Sequence, residues 1–119
     1  FLNSGETVGM KGTQVFRVAV RKMVAMLAAA CKAENVAIDD LDMIVTHQAN
    51  ERIIDAARRM IKFNEERVFN QMRKYGNTSS NTIPLALQTV IPRQEAGDKI
   101  GLTAFGGGYT FGAAVIEVL

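Results

Sequence analysis

Three short stretches of this chain carry residue types that could handle a carbonyl group. His47, the only histidine among 119 residues, stands in Thr46-His47-Gln48-Ala49-Asn50, directly after the apolar run Met43-Ile44-Val45. Asn77 lies in Tyr75-Gly76-Asn77-Thr78-Ser79-Ser80, and Gly106-Gly107-Gly108 follows Phe105. An imidazole nitrogen and a carboxamide NH₂ are both neutral hydrogen-bond donors. Two of them aimed at one carbonyl oxygen make an oxyanion hole that favours enolate formation. His47 precedes a helix start, whose positive end disfavours protonation and keeps the ring a neutral donor. The glycine run lets a backbone amide approach a reacting carbonyl with no Cβ in the way. Taken singly, each stretch also has a plain structural reading: a strand-end histidine, an ordinary turn and a hairpin corner. No nucleophile accompanies them. Cys31 falls among alanines with no base beside it and reads as a core thiol, and the Ser and Thr hydroxyls have no second base.

The elements that must position these residues follow from hydrophobic spacing. Residues 1–13, rich in Gly, Ser, Asn and Thr, read as a loop ending in a helix cap near Thr13. From Gln14 to about Ala33 the apolar positions Val15, Phe16, Ala19, Val20, Met23, Leu27 and Ala30 keep helical spacing, with Arg17, Arg21 and Lys22 facing elsewhere. Asn35 to Asp42 is a short connection whose Asp39, Asp40 and Asp42 could cap a single turn. Met43 to Thr46 reads as a buried parallel strand, and Asn50 caps a helix from Glu51 to Ile61. That helix sets Ile53, Ile54, Ala57 and Ile61 on one side. Arg52, Arg58, Arg59 and Lys62 surround the other, four cations without matching acids that are either solvated or able to dock an anionic partner. A strand over Arg67 to Gln71, a helix over Ile83 to Val90 with Pro84 in its first turn, and strands over Lys99 to Ala104 and Tyr109 to Val118 complete the order α-β-α-β-α-β-β. Such alternation predicts an α/β fold: a mixed, mostly parallel sheet with flanking helices and a final antiparallel hairpin. His47, Asn77 and Gly107 would then gather at the carboxyl edge of the sheet, where such folds bind ligands.

Composition narrows the function classes. Fourteen basic residues against twelve acidic leave a net charge of +2, too small to argue for nucleic acid. One cysteine forbids an internal disulfide and, with one histidine, makes a structural metal site improbable, so a reducing compartment fits. No run approaches the ~20 apolar residues of a membrane span, and the first residues lack the order of a signal peptide, which points to the cytoplasm. The chain begins with Phe1, as a fragment or processed product would.

The three motifs, together with Ile83-Pro84-Leu85-Ala86-Leu87, Ala104-Phe105-Gly106-Gly107-Gly108-Tyr109-Thr110-Phe111-Gly112 and Met10-Lys11-Gly12-Thr13-Gln14-Val15-Phe16, resemble in order and spacing the C-terminal half of 3-oxoacyl-acyl-carrier-protein synthase III. The resemblance covers nearly the whole chain. It implies a thiolase-like fold of two similar halves and a decarboxylating Claisen condensation of an acyl primer, taken from acyl-coenzyme A onto a cysteine of the other half, with malonyl-acyl-carrier protein. No cofactor is implied. In that scheme His47 and Asn77 match the catalytic donors to the malonyl thioester carbonyl, and the Gly107 amide helps hold the second oxyanion. Gly12, Phe16, Asn50 and Ile53 match positions lining the pantetheine and coenzyme A tunnel. Arg52, Arg17 and Arg59 match the basic surface that receives the acidic carrier protein. The complete enzyme would be a homodimer.

The half with the nucleophile is missing from this chain. By motif order so is the first strand of the second half, which the resemblance sets in the middle of the sheet. The chain alone should therefore be inactive, with an incomplete sheet exposing unpaired edges. Two other readings fit the same residues: a related condensing or acyl-transfer enzyme of secondary metabolism, and a non-catalytic fragment that binds carrier protein or completes a partner.

Overall fold

The computed structural model describes residues 12–48, 50–77, 81–107 and 110–119. Residues 1–11, where the sequence reading expected most of a loop, Ala49, residues 78–80 and the Gly108-Tyr109 pair, on which parts of the motifs fall, lie outside the described residues. Helix α1 runs from Gly12 to Ala33, β1 from Met43 to Thr46, α2 from Glu51 to Ile61 and β2 from Val68 to Phe69. Then come α3 (Met72–Tyr75), α4 (Thr82–Val90), β3 (Lys99–Gly106) and β4 (Thr110–Glu117). The strands form one sheet in the order β2-β1-β3-β4. β1 is parallel to β2 and β3, and β4 returns antiparallel to β3.

Helices cover both faces of the sheet, which is why the strand sequences are apolar on successive residues and not only on alternate ones. Ile44 and Val68 pack with Leu27 and Cys31 of α1 and Ile54 of α2, while Val45 and Ile100 pack with Ala86 and Val90 of α4. Along α1 the residues Ala19, Val20, Met23, Leu27 and Cys31 are all buried, tracing the stripe that the i, i+3, i+4 spacing predicted, and Cys31 is the core thiol expected. The Thr103 hydroxyl donates to the Met23 carbonyl at 2.8 Å and fastens the middle of α1 onto β3. At the amino end, the Asp42 carboxylate accepts from the Lys99 backbone N–H at 2.8 Å, and the Asp42 N–H donates to the Lys99 carbonyl at 2.8 Å. The Arg67 guanidinium donates to the carbonyls of Asp39 and Leu41 and lies 4.3 Å from the centroid of the Phe63 ring, tying the turn before β1 to the segment leading into β2.

Several sequence expectations are corrected. No gap opens in the middle of the sheet: β1 pairs directly with β3 over four residues, from Met43 opposite Ile100 to Thr46 opposite Thr103. Among the described residues the strands with one neighbour are β2 and β4, at the two ends. The strand expected over Arg67 to Gln71 is only Val68–Phe69, because residues 65–67 form a 3₁₀ turn capped by Asn64 and the backbone of Gln71 leaves the extended region to start α3. The Asn70 side chain accepts from the Met72 N–H at 3.0 Å, a local bond that competes with strand continuation. Helix α1 begins at Gly12 rather than near Gln14.

Gly101 shows how tightly α1 sits. A Cβ at this position would lie 2.7 Å from Leu41 Cδ1 and 2.8 Å from Leu27 Cδ1, and both leucines are fully buried with little room to turn. Gly101→Ala should therefore lower the free energy of unfolding by about 1–3 kcal/mol, the usual range for overpacking a core, as read from the midpoint of urea denaturation.

A candidate carbonyl-polarising site at the carboxyl edge

Because β1, β2 and β3 run in the same direction, the segments that follow them emerge along one edge of the sheet. His47 is the first residue after β1, Gly107 the first after β3, and Asn77 follows β2 by way of α3. The topology thus brings all three sequence candidates to one edge, as expected. His47 is held from both sides. Its N–H donates to the Thr103 carbonyl at 2.9 Å, one step beyond the last paired residues of β1 and β3, and its ring meets the edge of Phe105 at right angles, with centroids 5.4 Å apart. Phe105 in turn faces Phe111 across the hairpin, with centroids 6.3 Å apart. This half-buried apolar setting pushes the imidazole pKa below its ordinary 6.5, since burial disfavours the charged ring. Desolvation thus favours the neutral ring, the form a carbonyl-polarising role would require.

Asn50 caps α2, as the sequence indicated: its side-chain oxygen accepts from the Ile53 N–H at 2.9 Å. Asn77 and Gly107 are exposed, and Gly76, at φ +63°, makes the turn that delivers Asn77, a backbone region where glycine carries no steric cost. A residue missed by the sequence reading lies between the candidates. Gln48, fully buried, donates from Nε2 to the carbonyls of Thr46 at 2.9 Å and Phe69 at 3.3 Å and accepts at Oε1 from the Gln71 N–H at 2.9 Å. Its only sequence signal is a glutamine wedged between an apolar strand and a helix cap.

The tunnel positions divide. Gly12 opens α1, Phe16 is partly buried in the next turn, and Arg52 Cζ lies 5.8 Å from the centroid of the Phe16 ring, a cation–π contact joining α1 and α2. Ile53 is a core residue, 3% exposed, packed with Ala19, Val20 and Met23. Arg17, Arg52 and Arg59 are exposed. The expectation that α2 carries four unmatched cations is corrected, because Asp55 pairs with Arg58 at 2.7 Å and with Arg59 at 2.9 Å. The i,i+3 and i,i+4 spacing from Asp55 was the signal that would have shown it. A groove beside α2 mixes both signs, with Glu51, Asp55 and Glu65 beside Arg52 and Arg58. Among the described residues no three His, Cys, Asp or Glu side chains gather as metal ligands would, and no helix is long and apolar enough to cross a membrane.

Residues 31–118 match the family described as 3-oxoacyl-[acyl-carrier-protein] synthase III, C terminal. The chain belongs to this family. A beta-ketoacyl-acyl-carrier-protein synthase III of Roseiflexus sp. (strain RS-1) is 43% identical over 112 residues, covering 92% of this chain but 34% of the relative. The crystal structure of the 3-oxoacyl-acyl-carrier-protein synthase III of Aquifex aeolicus superposes with a TM-score of 0.89 at 37% identity, over 97% of this chain and 38% of that one. The priming beta-ketosynthase of the R1128 polyketide pathway superposes at 0.85 with 30% identity, over 92% of this chain and 34% of that one. The fold is thus that of the C-terminal part of a thiolase-like condensing enzyme of the synthase III type. The chain spans about a third of the length of the curated relatives it matches.

A consequence for pH follows from the histidine. An unfolded chain takes up the His47 proton at its ordinary 6.5, whereas the folded chain holds it off until a lower pH. Acidification from neutral should therefore cost stability as the pH falls through 6.5 toward the folded value, while this group leaves stability unchanged above that window. Because the chain has one histidine, the imidazole resonances in a proton NMR titration report it directly, and an apparent pKa below 6.5 is the expected result.

Proposed function

We propose that the complete protein to which this chain belongs joins an acyl primer from acyl-coenzyme A to malonyl-acyl-carrier protein, releasing carbon dioxide and giving 3-oxoacyl-acyl-carrier protein in the initiation of fatty acid synthesis. The observation that carries this reading is the desolvated, neutral His47 fixed at the same sheet edge as Asn77, within a chain whose family is the synthase III condensing enzymes. His47 and Asn77 donate to the malonyl thioester carbonyl. As carbon dioxide leaves, the electron pair of the breaking bond spreads onto that oxygen, where two neutral donors stabilise the charge without surrendering a proton. The resulting carbanion attacks the acyl group on a cysteine contributed by another part of the protein, and the Gly107 amide serves the oxyanion formed there. The reaction needs no metal or cofactor. The protein works in the cytoplasm as a homodimer.

Substrate entry is assigned to the α1–α2 side. Gly12, Phe16 and Asn50 border the pantetheine and coenzyme A passage, with Ile53 supporting it from the core. Arg52 and Arg17 meet the acidic carrier protein, with Arg59 a lesser contributor because Asp55 already shares its charge. A second reading, a priming condensing enzyme of polyketide synthesis, is favoured by the structural likeness to the R1128 ketosynthase. It would use the same two donors on another acceptor.

In the complete enzyme His47→Ala should lower malonyl-thioester decarboxylation about 10²–10³-fold, the loss typical of removing one oxyanion donor, while acyl transfer from acyl-coenzyme A to the nucleophile stays within about twofold. Loss of acylation alone would contradict the role. The purified 119-residue chain should show no condensation of acetyl-coenzyme A with malonyl-acyl-carrier protein, and should gain it when mixed with the separately expressed remainder of the protein. Activity of the chain by itself would overturn the division of labour.

A further inference from the structure

The geometry points to Gln48 as a positioning residue that sets the spacing between His47 and Asn77, an assignment that rests on the reading of those two residues given above. The main-chain pairing of β1 with β2 ends at Val45 opposite Phe69. Beyond that point the two chains diverge, one into the His47 loop and the other through Gln71 and α3 to Asn77, with no ladder to fix their separation. Gln48 spans this opening. Its amide N–H groups reach the Thr46 carbonyl on the histidine side and the Phe69 carbonyl on the asparagine side, and its carbonyl oxygen receives the Gln71 N–H. One side chain thus substitutes for the next rung of the sheet, with both donors engaged and no surface in water. The neighbouring buried polar atoms, Thr46 Oγ1 and Gln71 Nε2, find no partner among the described residues, so neither supplies an alternative bridge there.

A hydrogen-bonded bridge in a dry setting resists small displacements that an apolar contact of the same volume would allow. Two donors must meet one oxygen within a few tenths of an ångström, and a misplacement of about 1 Å can cost about 10²-fold in rate. Gln48 touches neither reacting atoms nor substrate in this arrangement; it acts through the two loops.

The test uses the complete enzyme with Gln48→Met, which keeps the volume and removes all three bonds, and Gln48→Glu, which keeps the acceptor for Gln71 N–H and sets a carboxylate against two carbonyls. For each, three quantities are measured beside wild type and His47→Ala: kcat and KM for malonyl-thioester decarboxylation, the rate of acyl transfer from acyl-coenzyme A, and Tm. For whichever variant folds, the expected result is a decarboxylation kcat lowered about 10²-fold with KM and acyl transfer within about threefold of wild type. Equal losses in both half-reactions, or a decarboxylation kcat near wild type while His47→Ala has lost it, would overturn the role of Gln48 and leave that of His47 standing. If neither variant folds, Gln48 is a general support and the positioning role fails. Retention of decarboxylation by His47→Ala would instead sink the underlying reading, and the Gln48 assignment with it.

Discussion

The arrangement depends on the parallel pairing of β1 with β3. That ladder runs from Met43 opposite Ile100 to Thr46 opposite Thr103, and it continues one bond further, as the His47 N–H reaches the Thr103 carbonyl. The last bond decides where the histidine stands. It prevents the chain from leaving the sheet until the ring is beside Phe105, and that contact removes water from the imidazole. The Thr103 side chain works in the other direction, holding α1 through the Met23 carbonyl. A single residue of β3 therefore fixes both the histidine and the helix that covers its side of the sheet.

On either side of this ladder the structure solves the same problem by different means. Toward β4 the chain makes a hairpin with eight paired positions on each strand, so the Gly107 corner is placed by regular main-chain bonding. Toward β2 the ladder is only two residues long, and the task passes to a buried side-chain amide. Buried polar groups of this kind are costly unless satisfied, and the Gln48 side chain meets that condition, its amide nitrogen donating to two carbonyls and its oxygen accepting one N–H.

Much of the architecture was legible in the sequence, and the reasons are local. The spacing of Ala19, Val20, Met23 and Leu27 can only be a buried helical stripe, Asn50 is a good cap, and the run Met43 to Val45 suits a strand covered on both faces. The placement of His47 and Gly107 just after parallel strands was legible in the same sense, because a strand followed by a helix or a glycine corner marks the carboxyl edge of such a sheet. What could not be read was pairing between distant segments. The direct contact of β1 with β3 joins residues more than fifty positions apart, and no periodicity encodes which strand lies beside which. The shortness of β2 was hidden because Asn64 and Asn70 divert the backbone by local side-chain hydrogen bonds rather than by proline or a run of glycines. Gln48 was passed over for a similar reason, since its partners are carbonyl and amide groups that every residue carries. The overlooked Asp55 was different, for its ion pairs were within reach of simple helical spacing.

The central claim is that His47 and Asn77 act on one oxygen. A crystal structure of the complete enzyme with a non-hydrolysable malonyl-thioester analogue measures this directly. The account predicts that an imidazole nitrogen of His47 and the carboxamide nitrogen of Asn77 both lie about 2.7–3.1 Å from the thioester carbonyl oxygen. A bound analogue whose carbonyl oxygen meets only one of the two, or neither, would contradict it.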